Sequence, residues 1–407
     1  MPPPSEAAPG TMPGPAPGTA PDALPGGDPG AAAPDYGNPA EAPYAPPGAS
    51  PFAFDGAGDA GAISGQGGIQ RAAAAPKFMI GDQGPYFARQ AIRFPSIPSP
   101  NPPVRPGGGN FGQRSVAGIV PAVRGFKIAD NQSPRPVDRI FGTFNFYDNV
   151  NKRLNDRLNS PIERQQVYRQ LYGFEKTFAE GQGSFGLRMP INTLVSDSRT
   201  ARLNRTTTAA GNLGVFAKYV LYSDDSGNLI SAGLSVDTPT GPAAFAGFPV
   251  TGRLKNPVEI QPYLGYIFQR GKAFVQGFGA VAVPTDAALP TMLFVDVALG
   301  YNLYQAEEEG SLISSFTPVV EAHLNTPFNH RGYSDKDIYG IPDVLNMTFG
   351  ANIGILDRGI LTLGYARPVT GPLPFDGEFI LQGNIFFGRS RSQAARGGSI
   401  YNPILGN

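Results

Sequence analysis

From Arg139 onward apolar residues recur at every second position over runs long enough to cross a bilayer, and this alternation limits the fold more than any other feature of the chain. A period of two marks a β-strand with one apolar face. Leu345, Met347, Phe349, Ala351, Ile353 and Ile355 alternate with Asn346, Thr348, Gly350 and Asn352. Leu293, Val295, Val297 and Leu299 oppose Asp296 and Gly300, and Phe316, Val320, Ala322 and Leu324 oppose Thr317, Glu321, His323 and Asn325. About twelve such strands are expected, near 139–148, 166–178, 183–194, 212–223, 228–238, 257–268, 272–283, 291–304, 314–325, 343–355, 359–367 and 377–388. Their length of roughly 10–13 residues exceeds the ~5–6 usual for soluble strands and lies a little beyond the ~9–11 that span a bilayer.

The links between strands alternate in length. The long 149–165 precedes the short Ala179–Gln182, 195–211 precedes Asp224–Gly227, 239–256 precedes Gln269–Gly271, and 326–342 precedes Leu356–Arg358. Short turns at one end and long loops at the other are the habit of outer-membrane barrels. The links 284–290 and 305–313 fit this alternation less cleanly. The expected fold is therefore all-β: a transmembrane, antiparallel, up-and-down β-barrel of about twelve strands over 139–388, with both termini on the short-turn side. Gly265, Gly277, Gly279, Gly300, Gly350, Gly354 and Gly383 are expected on the polar face, where they leave lumen space. Tyr147, Tyr172, Tyr222, Tyr263, Tyr301, Tyr304 and Phe387 are expected near strand ends as interfacial girdles.

Residues 1–75 read differently. They are Pro, Gly and Ala with scattered acids, and the first basic residue is Arg71. So little apolar surface cannot offset chain entropy, and a disordered arm follows. Residues 76–138 mix Phe78, Met79, Ile80, Ile119, Val120, Phe126 and Ile128 with Pro and Gly. They are expected to pack on something as an irregular plug or periplasmic element without regular structure of its own, and 389–407 to form a C-terminal tail. Export requires a leader, yet Met1 is followed by Pro2, Pro3 and Pro4 with no apolar run; the reading expects that the leader has been removed or the start misplaced.

From Asn131 to about Asn192 the chain resembles a family of uncharacterised planctomycete outer-membrane proteins. The resemblance rests on Asp130–Arg139, on Phe144-Asn145-Phe146-Tyr147-Asp148-Asn149-Val150-Asn151, on Tyr172–Phe178 and on Met189-Pro190-Ile191-Asn192. Val236–Pro242 and Pro368–Pro372 are more distantly similar to the Pro-Thr-Gly turns of phenol-degradation-type outer-membrane transporters. The resemblance covers roughly 131–388 and not the arm. It implies an outer-membrane barrel of porin or small-molecule transporter type and carries over no catalytic or binding residue. One departure concerns the last strand, whose Phe386 and Phe387 are followed by a tail rather than ending the chain.

Ionisable and polar side chains predicted to line the lumen are Glu175, Arg188, Glu259, Asp296, Glu321, His323, Asn325 and Glu378. Charge inside a membrane barrel must face water or pair with charge. These groups either set the selectivity of a pore or interlock to fill it, and segment 76–138 tilts the balance toward a lumen at least partly plugged. His323 shares a strand face with Glu321 and Asn325; it is a gate residue or, more simply, a hydrated lumen histidine. A hydrolase needs a serine beside that histidine, and Asn325 stands there instead. With no cysteine, only two histidines and no phosphate loop, neither an enzyme, a metal site nor a cofactor is expected. Lys+Arg and Asp+Glu balance at 32 each, which excludes a basic nucleic-acid binder. Basic residues of the long loops, among them Lys152, Arg153, Arg157, Arg164 and Arg199, are read as solvated loop charge, and Asp224–Asn228 as a tight polar turn.

The expected function is passive passage of small solutes through an outer-membrane channel. The alternative is a structural barrel with a blocked lumen that binds neighbouring proteins or envelope components. Expected partners are outer-membrane lipid, small solutes, envelope components through the arm, and a second copy of the chain.

Overall fold

The computed structural model describes residues 77–82, 89–94, 116–121, 126–199, 204–242, 256–308, 310–332, 340–356, 358–371 and 373–387. The expected arm (1–75) and tail (389–407) lie outside the described residues. Among the described residues two short strands come first, β1 (Arg89–Phe94) and β2 (Val116–Pro121), paired antiparallel with Arg89 opposite Pro121 and Phe94 opposite Val116. This corrects the expectation that 76–138 has no regular structure: six-residue strands are too short to declare a period amid so much Pro and Gly.

The barrel strands follow. They are β3 (Arg139–Asp148), β4 (Ile162–Phe178), β5 (Gly183–Ser198), β7 (Leu213–Ser223), β8 (Leu229–Thr238), β9 (Glu259–Arg270), β10 (Ala273–Pro284), β11 (Met292–Tyr301), β13 (Ile313–Pro327), β14 (Val344–Ile355), β15 (Gly359–Pro368) and β16 (Gly377–Phe386). Each pairs antiparallel with its sequence neighbours, and β16 pairs with β3 from Gly377 opposite Asp148 to Phe386 opposite Arg139, closing a ring of twelve strands. Two extra strands decorate the ring. β6 (Arg205–Ala210) pairs with the outer half of β5, and β12 (Tyr304–Gln305) pairs with the start of β13. A short helix, α1 (Lys152–Arg157), sits in the first long loop. Both β6 and α1 fall where only loop was expected. The run Thr206-Thr207-Thr208 is β-branched and suits a strand, but exposed residues carry no apolar signature.

The apolar face points outward. Ile140, Phe185, Leu264, Leu299, Phe349 and Leu381 are all exposed, while Asn145, Glu175, Gln276, Asp296, His323 and Gln382 are sealed inside. A soluble barrel would show the reverse; this distribution is that of a barrel solvated by lipid. Ten residues at ~3.3 Å, tilted by ~40°, cover about 25 Å, the height of an outer-membrane apolar band. The two ends of the ring differ as the sequence suggests. One carries turns such as Ala179–Gly181, Asp224–Asn228 and Gly271–Lys272; the other carries α1, β6 and the longer loops. In the Asp224 turn the carboxylate accepts the Asn228 N–H at 2.9 Å and Gly227 adopts φ +84°.

Two sequence expectations about sidedness fail. Tyr147 and Tyr263 are buried inside rather than in an interfacial girdle. Gly277, Gly279 and Gly383 share strand parity with outward Val275, Val283 and Ile385, so they face outward and not into the lumen. Parity along the strand, not nearness to its end or residue size, decides the side.

Candidate functional site: the filled barrel interior

The barrel interior is occupied by the chain itself. Residues 77–82 enter at the short-turn end: Lys77 Nζ lies 4.8 Å from the centre of the Phe274 ring, and Phe78 stacks on Phe386 at 5.9 Å. They end near the long-loop end, where Asp82 accepts hydrogen bonds from Asn325 (3.1 Å) and Asn346. Residues 126–138 run the opposite way. The Phe126 N–H donates to Asp237 at 2.8 Å, one residue from the long-loop end of β8. Arg135 donates to the Gly227 carbonyl in a short turn at 3.0 Å. The Met79 N–H donates to the Gln132 carbonyl at 2.9 Å and ties the two passes together.

Three polar clusters hold these segments to the wall. In the first, Glu175 accepts from Arg139 Nε (2.9 Å) and the Ser184 hydroxyl (2.7 Å), and lies 3.0 Å from Lys218 Nζ. Lys218 in turn donates to the Ser133 carbonyl at 2.7 Å, and Arg139 is sandwiched between Phe78 and Phe141 at 4.4 and 4.2 Å. In the second, Arg169 pairs with Asp130 at 2.9 Å and donates to Asn145, which donates to Glu378 at 2.8 Å. Arg188 donates to the Lys127 carbonyl (3.3 Å) and to Ser235 (3.1 Å), its guanidinium 4.3 Å from the Phe126 ring centre.

The third cluster is the tightest. Glu321 accepts the backbone N–H groups of Ile80 (2.8 Å) and Gly81 (2.7 Å), where Gly81 turns at φ +85°. Lys127 Nζ bridges Asp82 and Asp296, and His323 lies 2.8 Å from Asp296 through Nδ1 and 3.2 Å from Glu321 through Nε2. Asp82, Asp296 and His323 thus gather ligand atoms within 4.8 Å of one another, with the Lys127 ammonium as the cation between the two carboxylates. Opposite charges sealed from water at these distances hold strongly once formed, because removing one leaves its partner buried and alone. Gly350 and Gly364 face each other across β14 and β15, and a Cβ on either would meet Ile80 side-chain atoms at 2.6 Å. The inward glycines here admit the threaded segment rather than leaving empty space.

Of the residues expected to line the lumen, Glu175, Arg188, Asp296, Glu321, His323, Asn325 and Glu378 are all inward and buried. Glu259 is half-buried at the start of β9 and joins none of the three clusters. Sequence reasoning missed Arg139, Arg169, Lys218 and Asp237 on the wall, and Asp82, Lys127 and Asp130 on the threaded segments. Isolated charges within Phe78-Met79-Ile80-Gly81-Asp82 and Phe126-Lys127-Ile128-Ala129-Asp130 were the available signal: charge inside an apolar stretch calls for a buried partner. At the short-turn rim, burial by itself would raise the Asp138 carboxyl. Hydrogen bonds from Lys176 (2.7 Å) and from the Thr177 N–H (2.6 Å) and hydroxyl (2.7 Å) outweigh that and hold it below its ordinary value.

No protein-family model and no curated protein sequence matches the chain. Among solved structures it is similar to an outer membrane channel from Pseudomonas putida F1, at 11% identity and TM-score 0.44, over 62% of this chain and 96% of that one. It is similar to the beta domain of the Bordetella autotransporter BrkA at 10% identity and TM-score 0.41, over 62% and 100%. The translocator domain of the autotransporter NalP from Neisseria meningitidis gives 12% identity and TM-score 0.34, over 62% and 88%. The likeness is a distant one, to barrels of the outer-membrane type.

Proposed function

We propose that this chain is an outer-membrane barrel closed to passive solutes by its own N-terminal segment, a structural barrel at rest and not an open porin. The observation that carries the reading is the double occupancy of the lumen by residues 77–82 and 126–138, held through Glu175, Asp130 and Glu321. In this reading the lumen charges predicted from sequence anchor the segment, and selectivity for a solute is not their resting role. Outer-membrane lipid is the barrel's solvent, and the motifs between Asn131 and Asn192 make the planctomycete outer-membrane proteins the family we propose for it.

One observation favours a second reading, a channel that opens when the segment leaves. Beside the apolar contacts of Met79, Ile80 and Ile128, much of the attachment is by ion pairs and hydrogen bonds, which water can replace on both partners if it fills the lumen as the segment leaves. Phenol-type transporters, to which the Pro-Thr-Gly turns are similar, would then suggest a small organic solute. Conductance in planar lipid bilayers tests both. The full chain should be silent, and a variant lacking residues 77–137 should give discrete steps. Steady large conductance from the full chain would overturn the closed-barrel reading; silence from the inserted deletion variant would overturn the channel reading.

A further inference from the structure

We propose that the chain threads the barrel as a hairpin, so that β1 and β2 are displayed at the long-loop end while Lys77 and Asp138 both lie at the short-turn end; the proposal rests on the outer-membrane reading above. The direction of each pass carries it. Lys77 and Phe78 touch Phe274 and Phe386, which lie beside a short turn and at the end of the last strand. Five residues on, Asp82 reaches Asn325 and Asn346, each within a few residues of the long-loop end of its strand. The first pass therefore runs the lumen from the short-turn end toward the long loops.

The return begins on the far side. Phe126 is bonded to Asp237 and its carbonyl accepts from Gln261 at 3.2 Å, both close to the long-loop ends of β8 and β9. The pass then descends past Lys218, which donates to Ser133, to Gly227 and Asp138 at the short-turn rim. What joins the passes must lie at the long-loop end, and β2 does. Its Ile119 N–H donates to Asn155 of α1 at 2.8 Å while the Asn155 amide donates to the Ile119 carbonyl at 2.9 Å. An asparagine that donates and accepts in this way stands in for a neighbouring strand and fastens the β1–β2 ribbon beside the long loops.

The two sides of the barrel thus present different parts of one chain, a topology that a simple plug does not have. A plug entering and leaving by the same end would place β1 and β2 at the short-turn end.

The chain has no cysteine, so single substitutions report without background. Three are made in the full chain: Arg93→Cys in β1, Arg153→Cys exposed on α1 and Asp225→Cys exposed in a short turn. Each is reconstituted in oriented proteoliposomes and reacted with a membrane-impermeant maleimide before and after lysis. The expected result is that Arg93→Cys labels with Arg153→Cys from one side and Asp225→Cys from the other. If Arg93→Cys labels with Asp225→Cys, the hairpin is wrong and the barrel reading stands. If Arg153→Cys and Asp225→Cys label from the same side, the outer-membrane reading fails and takes this proposal with it.

Discussion

Glu321 shows how a single side chain decides what the barrel contains. Its carboxylate is sealed from water and takes two backbone N–H groups that the turn at Gly81 aims at it. Hydrogen bonds to a charged acceptor are worth about 1.5–3 kcal/mol, and donors left buried and orphaned cost a similar amount. In Glu321→Ala the Ile80 and Gly81 amides should therefore exchange with solvent roughly 10–100-fold faster, read by hydrogen exchange in detergent. Unchanged protection would mean that apolar contacts alone seat the segment. Gly364 acts by what it lacks. Gly364→Leu places carbon where Ile80 now sits, so residues 77–82 should become cleavable by added protease while the ring stays folded, as judged by its heat-dependent gel shift.

At the scale of elements, Asp138 clamps the entry to β3 against the end of β4. Its carboxyl is held below the ordinary 3.8, so its contribution is present above that value and is lost as pH falls through and below it. Detergent-solubilised protein should lose heat resistance as pH falls below about 4, and Asp138→Asn should flatten that part of the profile. Most of these elements could be read in the sequence. Arg139–Asp148 has the bounds its alternation predicts, and β13 and β14 differ from expectation by a residue or two. Alternation survives because lipid outside and polar groups inside each impose a rule on alternate positions. Where one rule lapses, reading stops: β6 and α1 lie outside the apolar band, and β1 and β2 are too short to show a period. The site was half legible for the same reason. Parity picked out Glu175 and Glu321, but their partners at Lys218, Ile80 and Gly81 come from a strand over 40 residues away and from a segment with no period at all.

For the whole molecule, charged and amide groups are sealed inside the ring beside an apolar cluster, while a band of Leu, Ile and Phe faces outward. Soluble monomers rarely expose a contiguous apolar band of this kind. Membranes bearing the protein should keep it through salt and carbonate washes and release it only to detergent. Release by carbonate alone would contradict the lipid-facing assignment. The alternating loops made this architecture readable from sequence. The filling of the lumen was readable only as a tendency, because ion pairs between distant segments leave no local trace.

The seam between β3 and β16 has a consequence for how the protein is made. Its register runs unbroken from Gly377–Asp148 to Phe386–Arg139, and it joins the first and last strands of the ring. Two lengths of backbone lie inside that ring, with a paired ribbon beyond its far mouth. A ring already zipped would have to swallow the ribbon whole, against a wall crowded with unmet charge. Biogenesis has a simpler order available: the looped segment is laid along the open sheet, its charges find Glu175 and Glu321, and the last strand then wraps around it. In that order the interior segment serves as the mandrel on which the barrel is wound, and the seam closes last around it.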